Sequence, residues 1–194
     1  PRVRRQRQMC IRDSPNEDPI KVIKKMKQTD NFKFDEANVM NELVYRNLSE
    51  DAKRQICAWK YGGEYDLYNL PAYEEMQVRQ IGFMNPQREK NYYGFWDESI
   101  LVGFVNILEE KEEVFIGIGV NPDLCNKHYG QRMLLITYEI SKKLYPDKPL
   151  YLEVRTWNIR AVKCYQKAGF RIDGQAYELT TGIGTGTFYR MIRE

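Results

Sequence analysis

The sequence predicts a mixed α/β domain, and three observations carry that reading. Apolar runs at residues 92–96, Ile100–Glu109 and Val114–Val120 follow one another closely. Only the short polar turns Asp97, Glu98, Ser99 and residues 110–112 separate them, the pattern of an antiparallel meander. Two helical patterns, residues 131–144 and 158–168, then bracket one apolar strand, Leu150–Arg155. There is no internal repeat, so the order βα(α)βββαβαββ describes one mixed sheet covered by helices.

Each element has a local reason. Residues 42–48, ELVYRNL, read as a first strand. Ser49 is an N-cap residue, and Glu50 and Asp51 place acid at the positive end of a helix running to about Tyr61. The stretch YGGEYDLYNLP reads as a loop, followed by a short helix at residues 73–80. In residues 131–144 the stripe Met133, Leu134, Thr137, Tyr138, Ile140, Ser141, Leu144 has helical spacing, and Pro146 and Pro149 end it. Asn158 caps the last helix, and Gly169 fits the residue just past its end. Two closing strands are expected near residues 172–179 and 188–192. Gly117 and Gly119 lie inside a strand, where glycine marks a bulge or a close backbone approach.

Composition bounds the function classes. Of 194 residues, 42% are hydrophobic and 29% charged, as in a water-soluble globular chain. No run approaches the ~18 apolar residues of a membrane span, and no apolar stretch follows the N-terminal arginines. A cytoplasmic protein without a membrane partner is expected. The four cysteines, Cys10, Cys57, Cys125 and Cys164, are far apart, and there is one histidine, so no metal site is expected. The net charge of +3 comes from residues 1–14, whose five arginines and one aspartate leave about −1 for the rest. The domain charge therefore points to no nucleic acid. Residues 1–39 form a polar, aperiodic extension with a short amphipathic piece at residues 20–27. They are expected to be disordered or non-native, since RQRQMCIRDS resembles translated adapter sequence, which would make Met40 the start of a domain at 40–194.

Two stretches carry chemistry. In FIGIGVNPDLCNKHYGQRM, residues 115–133, a strand runs through a loop into a helix. The free N–H groups and dipole at such a helix start form an anion site. In VRTWNIRAVKCYQKAGFR, residues 154–171, a strand hands over to a capped helix. Tyr165 lies on the face of Ala161 and Val162, and core packing accounts for it as well as chemistry does.

The segment N-x-R-A-x-x-x-Y-x-K-x-G-F, read as Asn158, Arg160, Ala161, Tyr165, Lys167, Gly169 and Phe170, resembles motif B of the GNAT acetyltransferase superfamily. The preceding loop stands where that family places its pyrophosphate cradle. The resemblance implies a GNAT-like fold: a mostly antiparallel sheet in which two parallel strands, here Val114–Val120 and Leu150–Arg155, splay apart. It implies acetyl-CoA as cosubstrate, no metal, and transfer of acetyl to an amine. The loop departs from the family pattern Q/R-x-x-G-x-G/A. Cys125 replaces the first residue and His128 the first glycine, while Gly130 remains. Asn and His are among the non-glycine residues that most often take positive φ, so the backbone shape is expected to persist, although the imidazole would crowd a diphosphate.

By the same resemblance, Tyr165 is the general acid. The main chain at Ile118 and Val120 faces the cofactor. Asn126, Lys127, His128, Tyr129, Gly130 and Gln131 form the phosphate loop, with Arg132 as added charge. Asn158 and Ala161 contact the cofactor from the last helix. Glu112, Glu113 and Glu153 are the candidate bases, with Glu113 ranked first. Tyr61, Tyr65, Tyr68 and Tyr73 are placed near the acceptor, the first three as substrate-binding residues, by cation–π contact or as a loop packing on its own rings. The acceptor would be a small amine, polyamine, amino sugar or protein amine, and the protein a monomer or homodimer. A catalytically silent GNAT-like module that senses acyl-CoA or binds a partner is the alternative.

Overall fold

A computed structural model describes residues 43–194. The expectations for residues 1–39, including the amphipathic piece, fall outside the described residues. Strand β1 (Val44–Asn47) leads into helix α1 (Glu50–Ala58), a 3-10 turn (Gly63–Tyr68) and helix α2 (Tyr73–Arg79). Strands β2 (Tyr92–Asp97), β3 (Ile100–Glu109) and β4 (Val114–Val120) form the meander. Helix α3 (Tyr129–Leu144), strand β5 (Leu150–Arg155) and helix α4 (Ile159–Lys167) follow. Strands β6 (Arg171–Ile172), β7 (Tyr177–Thr181) and β8 (Gly184–Arg193) close the chain.

The sheet order is β1-β2-β3-β4-β5-β8-β6, with β7 also on β8. Every pairing is antiparallel except β4 with β5. Several boundaries differ from the sequence reading. Helix α1 stops at Ala58, because Trp59 is extended and only its N–H returns to Ile56 O. Most of the tyrosine-rich loop is a 3-10 turn. Helix α3 starts two residues early, at Tyr129. The C-terminus makes three strands, since Gly174 at φ 77° breaks the first closing segment into β6 and β7.

The expected bulge at residues 117–119 is absent. β3 and β4 pair in unbroken register from Gly103↔Val120 to Glu109↔Val114, and the register shift in this meander lies at Phe95/Trp96. Gly119 and Gly103 answer to packing, while Gly117 has ordinary room for a side chain. A Cβ on Gly119 would lie 2.4 Å from the Phe104 ring, and one on Gly103 would lie 2.6 Å from Gly119 O.

The two sheet faces carry different cores. Val114, Ile116, Leu150, Leu152 and Val154 pack with Met133 and Leu134 of α3. Phe104 and Trp96 join Ile56, Met76 and Phe83 on the side of α1 and α2. Side chains alternate along a strand, so Glu153 and Arg155 stand on the face opposite Leu152 and Val154.

Candidate active site

The parallel pair is where the sheet opens. β4 and β5 pair only at Val114↔Leu150 and Phe115↔Tyr151, and then diverge. Val114 N–H donates to Pro149 O, so it points toward β5. Backbone groups alternate in direction along a strand. Those of Ile116, Ile118 and Val120 therefore point the same way, past the last rung and into the wedge. Asn121 N–H, of the other parity, donates to Val102 O on the β3 side.

A cavity of about 730 Å³ fills this wedge. Ile118 and Val120 line it, as do Asn126, His128, Gly130 and Gln131 at the start of α3. Asn126 and His128 both take φ of 63°, so the two non-glycine residues adopt the left-handed turn that the loop needs. Gly130 stands at a close approach, since a Cβ there would lie 3.1 Å from Cys164 Sγ on α4. Tyr129 also lines the cavity, but its hydroxyl donates to Asp97 Oδ2 at 2.7 Å. That bond raises its pKa.

Helix α4 supplies the other wall. Asn158 Oδ1 accepts from Ala161 N at 3.1 Å, and Asn158 Nδ2 donates to the Tyr68 hydroxyl at 3.2 Å. One buried amide thus caps the helix and ties it to the 3-10 turn. Asn158→Ala should cost about 1 kcal/mol through the lost cap, lowering Tm by about 2–4 °C in a thermal melt. An unchanged melt would show that the cap contributes nothing.

Tyr165, one turn beyond Ala161, lines the cavity. Among the described residues its hydroxyl has no hydrogen-bond partner, whereas the Tyr61 hydroxyl donates to Val120 O at 2.7 Å. Burial, with smaller contributions from Cys164, Tyr68 and Tyr61, raises the Tyr165 pKa above the ordinary phenol range. The phenol is therefore protonated at and well above neutral pH. Burial likewise pushes Tyr61 up to about 12 and raises Tyr68.

Six of the anticipated residues, Lys127, Tyr65, Tyr73, Glu112, Glu113 and Arg132, do not line the cavity. Lys127 is exposed on the loop. Tyr65 packs on Trp157, ring centroids 5.5 Å apart, with the Arg160 guanidinium 4.2 Å from its ring centre. Glu113 sits at the closed end of the β4–β5 pair, held by Arg190, which also bonds Asp173. Arg132 lies against Tyr129 and Asp97. Among the described residues that line the cavity, Glu153 is the sole carboxylate. Its Oε1 accepts from the Tyr177 hydroxyl at 2.6 Å, leaving Oε2 for another donor.

Most of the positive charge comes from α4, where Arg160, Lys163 and Lys167 line the cavity. Their spacing of three and four is a helical stripe that the sequence does display. Arg155 was not anticipated, and no local pattern announces it. It is 8% exposed and donates to the carbonyls of Ile183, Gly184 and Thr185 at the tip of the β7–β8 hairpin. Gly186 leaves room for it, since a Cβ there would lie 1.9 Å from its Nη1. Trp59, Leu70 and Phe104 complete an apolar wall facing the strands.

A wedge between diverging parallel strands, beside a helix start with left-handed residues, suits a long, amide-bearing, phosphorylated ligand. The model of the Acetyltransferase (GNAT) family matches residues 54–170, which include all of these elements but the closing hairpin. The chain belongs to the GNAT acetyltransferase family. It is thereby an acetyl-CoA-dependent acyltransferase. A comparison with curated proteins returned no match. Solved structures with the same fold include a chimera of the spermidine N-acetyltransferase SpeG from Vibrio cholerae and hSSAT. Its TM-score is 0.63 at 19% identity, covering 78% of this acetyltransferase and 95% of that chain. The Vibrio cholerae spermidine N-acetyltransferase in complex with CoA and spermine has a TM-score of 0.62 at 17% identity, covering 78% and 94%. AAC(6')-Ib in complex with ribostamycin and coenzyme A has 0.60 at 16%, covering 78% and 93%. At these identities the likeness concerns the fold. Among the described residues of the acetyltransferase, no helix is long and apolar enough to cross a membrane.

Proposed function

We propose that this acetyltransferase moves an acetyl group directly from acetyl-CoA to a primary amine, with Tyr165 as the general acid. The observation that carries the reading is the Tyr165 hydroxyl, unpartnered among the described residues, in a wedge lined by the free Ile118 main chain.

The residues fit the cosubstrate. Ile116 and Ile118 offer backbone N–H and C=O groups to an amide-bearing arm, as a neighbouring strand would. The turn at Asn126 and His128 and the first N–H groups of α3 suit a diphosphate, with Lys163 and Lys167 adding charge. When bound, acetyl-CoA supplies the acetyl group as a thioester. Ile118 N–H donates to the acetyl oxygen, where negative charge develops. Glu153 Oε2 accepts a proton from the incoming ammonium, directly or through water, since an alkylamine with a pKa of ~10 is charged at neutral pH. The free amine would then form the C–N bond as the C–S bond breaks; Tyr165 gives its proton to the departing sulfur, and the second proton lost by the nitrogen restores the phenol. Glu153 takes the role first assigned to Glu113, because Glu113 is bound to Arg190 and turned away from the cavity.

Transfer through an acetylated cysteine is disfavoured. Burial raises the pKa of both cavity thiols, Cys125 and Cys164, which keeps them protonated and poorly nucleophilic.

Calorimetric titration with acetyl-CoA, followed by a thiol-release assay with amines, tests the reading. Binding together with amine-dependent thiol release is the expected outcome. Binding without release to any amine would favour the silent acyl-CoA-sensing module. His128→Gly should tighten acetyl-CoA several-fold in the same titration, because it removes an imidazole from the cavity and keeps the left-handed turn. Weaker binding would mean that His128 itself holds phosphate.

A further inference from the structure

The charge and surface of the acceptor end narrow the class of amine. We infer that the acceptor is a monoamine with a flat, apolar body, and not a polyamine or a polycationic amino sugar; this rests on the acetyl-transfer reading above.

The first observation is a count of charges. The cavity offers one carboxylate, Glu153, among the described residues that line it. One ammonium can meet it, through the oxygen that Tyr177 leaves free. The second observation is what stands beside it. Arg155 is two residues along β5, on the same face of the strand, and also lines the cavity. Its guanidinium is buried and held by three carbonyls; among the described residues it has no carboxylate hydrogen-bond partner, and its Nε has no partner. Carbonyls satisfy its donors without cancelling its charge. A second ammonium on the acceptor would lie in the field of Arg155, out of water, with no anion to receive it. Polycations are thus rejected by repulsion as well as by the lack of an attractive partner.

The third observation is the surface that remains. Trp59, Leu70 and Phe104 present carbon to the cavity, with the Trp59 and Phe104 ring centroids 6.2 Å apart. The Tyr61 hydroxyl donates to Val120 O, and the Tyr68 hydroxyl accepts from Asn158 and keeps its own proton to donate, so the two rings add apolar area and a single donor. This wall suits an aromatic ring.

The test is a panel of acceptors with the full chain and acetyl-CoA, read as initial rates of thiol release: 2-phenylethylamine, spermidine and ribostamycin. The expected result is a kcat/KM for 2-phenylethylamine more than about tenfold above the other two, since an unpaired buried charge discriminates strongly. Equal or higher values for spermidine or ribostamycin would overturn the inference. Arg155→Gln keeps donors for the hairpin carbonyls and removes the charge. It should raise the spermidine to 2-phenylethylamine ratio severalfold, and an unchanged ratio in a folded variant counts against the role given to Arg155. Calorimetry on the same sample separates the two levels. Acetyl-CoA binding with transfer to spermidine alone overturns the acceptor class and leaves the enzyme reading intact. A folded protein that does not bind acetyl-CoA overturns both.

Discussion

Tyr165→Phe should lower turnover by ~10²–10⁴-fold, the range for removal of a general acid, while acetyl-CoA affinity changes little. The hydroxyl makes no hydrogen bond to the described residues, so removing it strips nothing from the fold. The ring, which packs against the main core, stays in place. The phenol pKa is raised by burial, so the wild-type rate should show no loss attributable to Tyr165 as pH rises through 9. Single-turnover kinetics with saturating acetyl-CoA isolate the chemical step. A variant that retains full turnover would make Tyr165 a packing residue and return the donor role to water or to another group.

Glu153→Gln should lower kcat/KM by a comparable ~10²–10⁴-fold. Glutamine keeps the shape and the bond from Tyr177 but does not accept a proton. Its signature is in the pH profile. The variant must draw on the free amine already in solution, so its rate should climb with pH toward the amine pKa of ~10, more steeply than wild type. Glu113→Gln is the matched control. It removes a partner of Arg190 and should cost up to about 1 kcal/mol of stability, with little change in rate. If Glu113→Gln lost the rate and Glu153→Gln kept it, the base assignment would reverse.

Much of the fold was legible because its signals are local. Ser49 and Asn158 cap their helices through their own side chains, as those residue types predict. The β3, β4 and β5 boundaries coincide with the apolar runs. The C-terminal strands were less legible, because Gly174 breaks a run whose composition reads as continuous. Of the two causes read for the strand glycines, the bulge is absent and a close approach is found at Gly119. Whether Gly119 makes a bulge or makes room depends on Phe104, fifteen residues away on another strand.

The site divides in the same way. By itself the sequence determined the helix that carries Asn158 and Tyr165, the loop that adopts positive φ at Asn126 and His128, and the family that these motifs mark. Backbone conformation and i, i+3, i+4 neighbours are properties of a short stretch of chain, and composition encodes them directly. Only the tertiary structure decided which charges share the cavity. Glu113 and Glu153 are both carboxylates at strand positions, and nothing local separates them. Arg190 on β8 claims the first and Tyr177 on β7 orients the second. Arg155 is one more strand residue until the hairpin tip folds back and surrounds it with carbonyls. An electrostatic role belongs to a set of groups brought together from across the sheet, and that set exists only once the strands have paired.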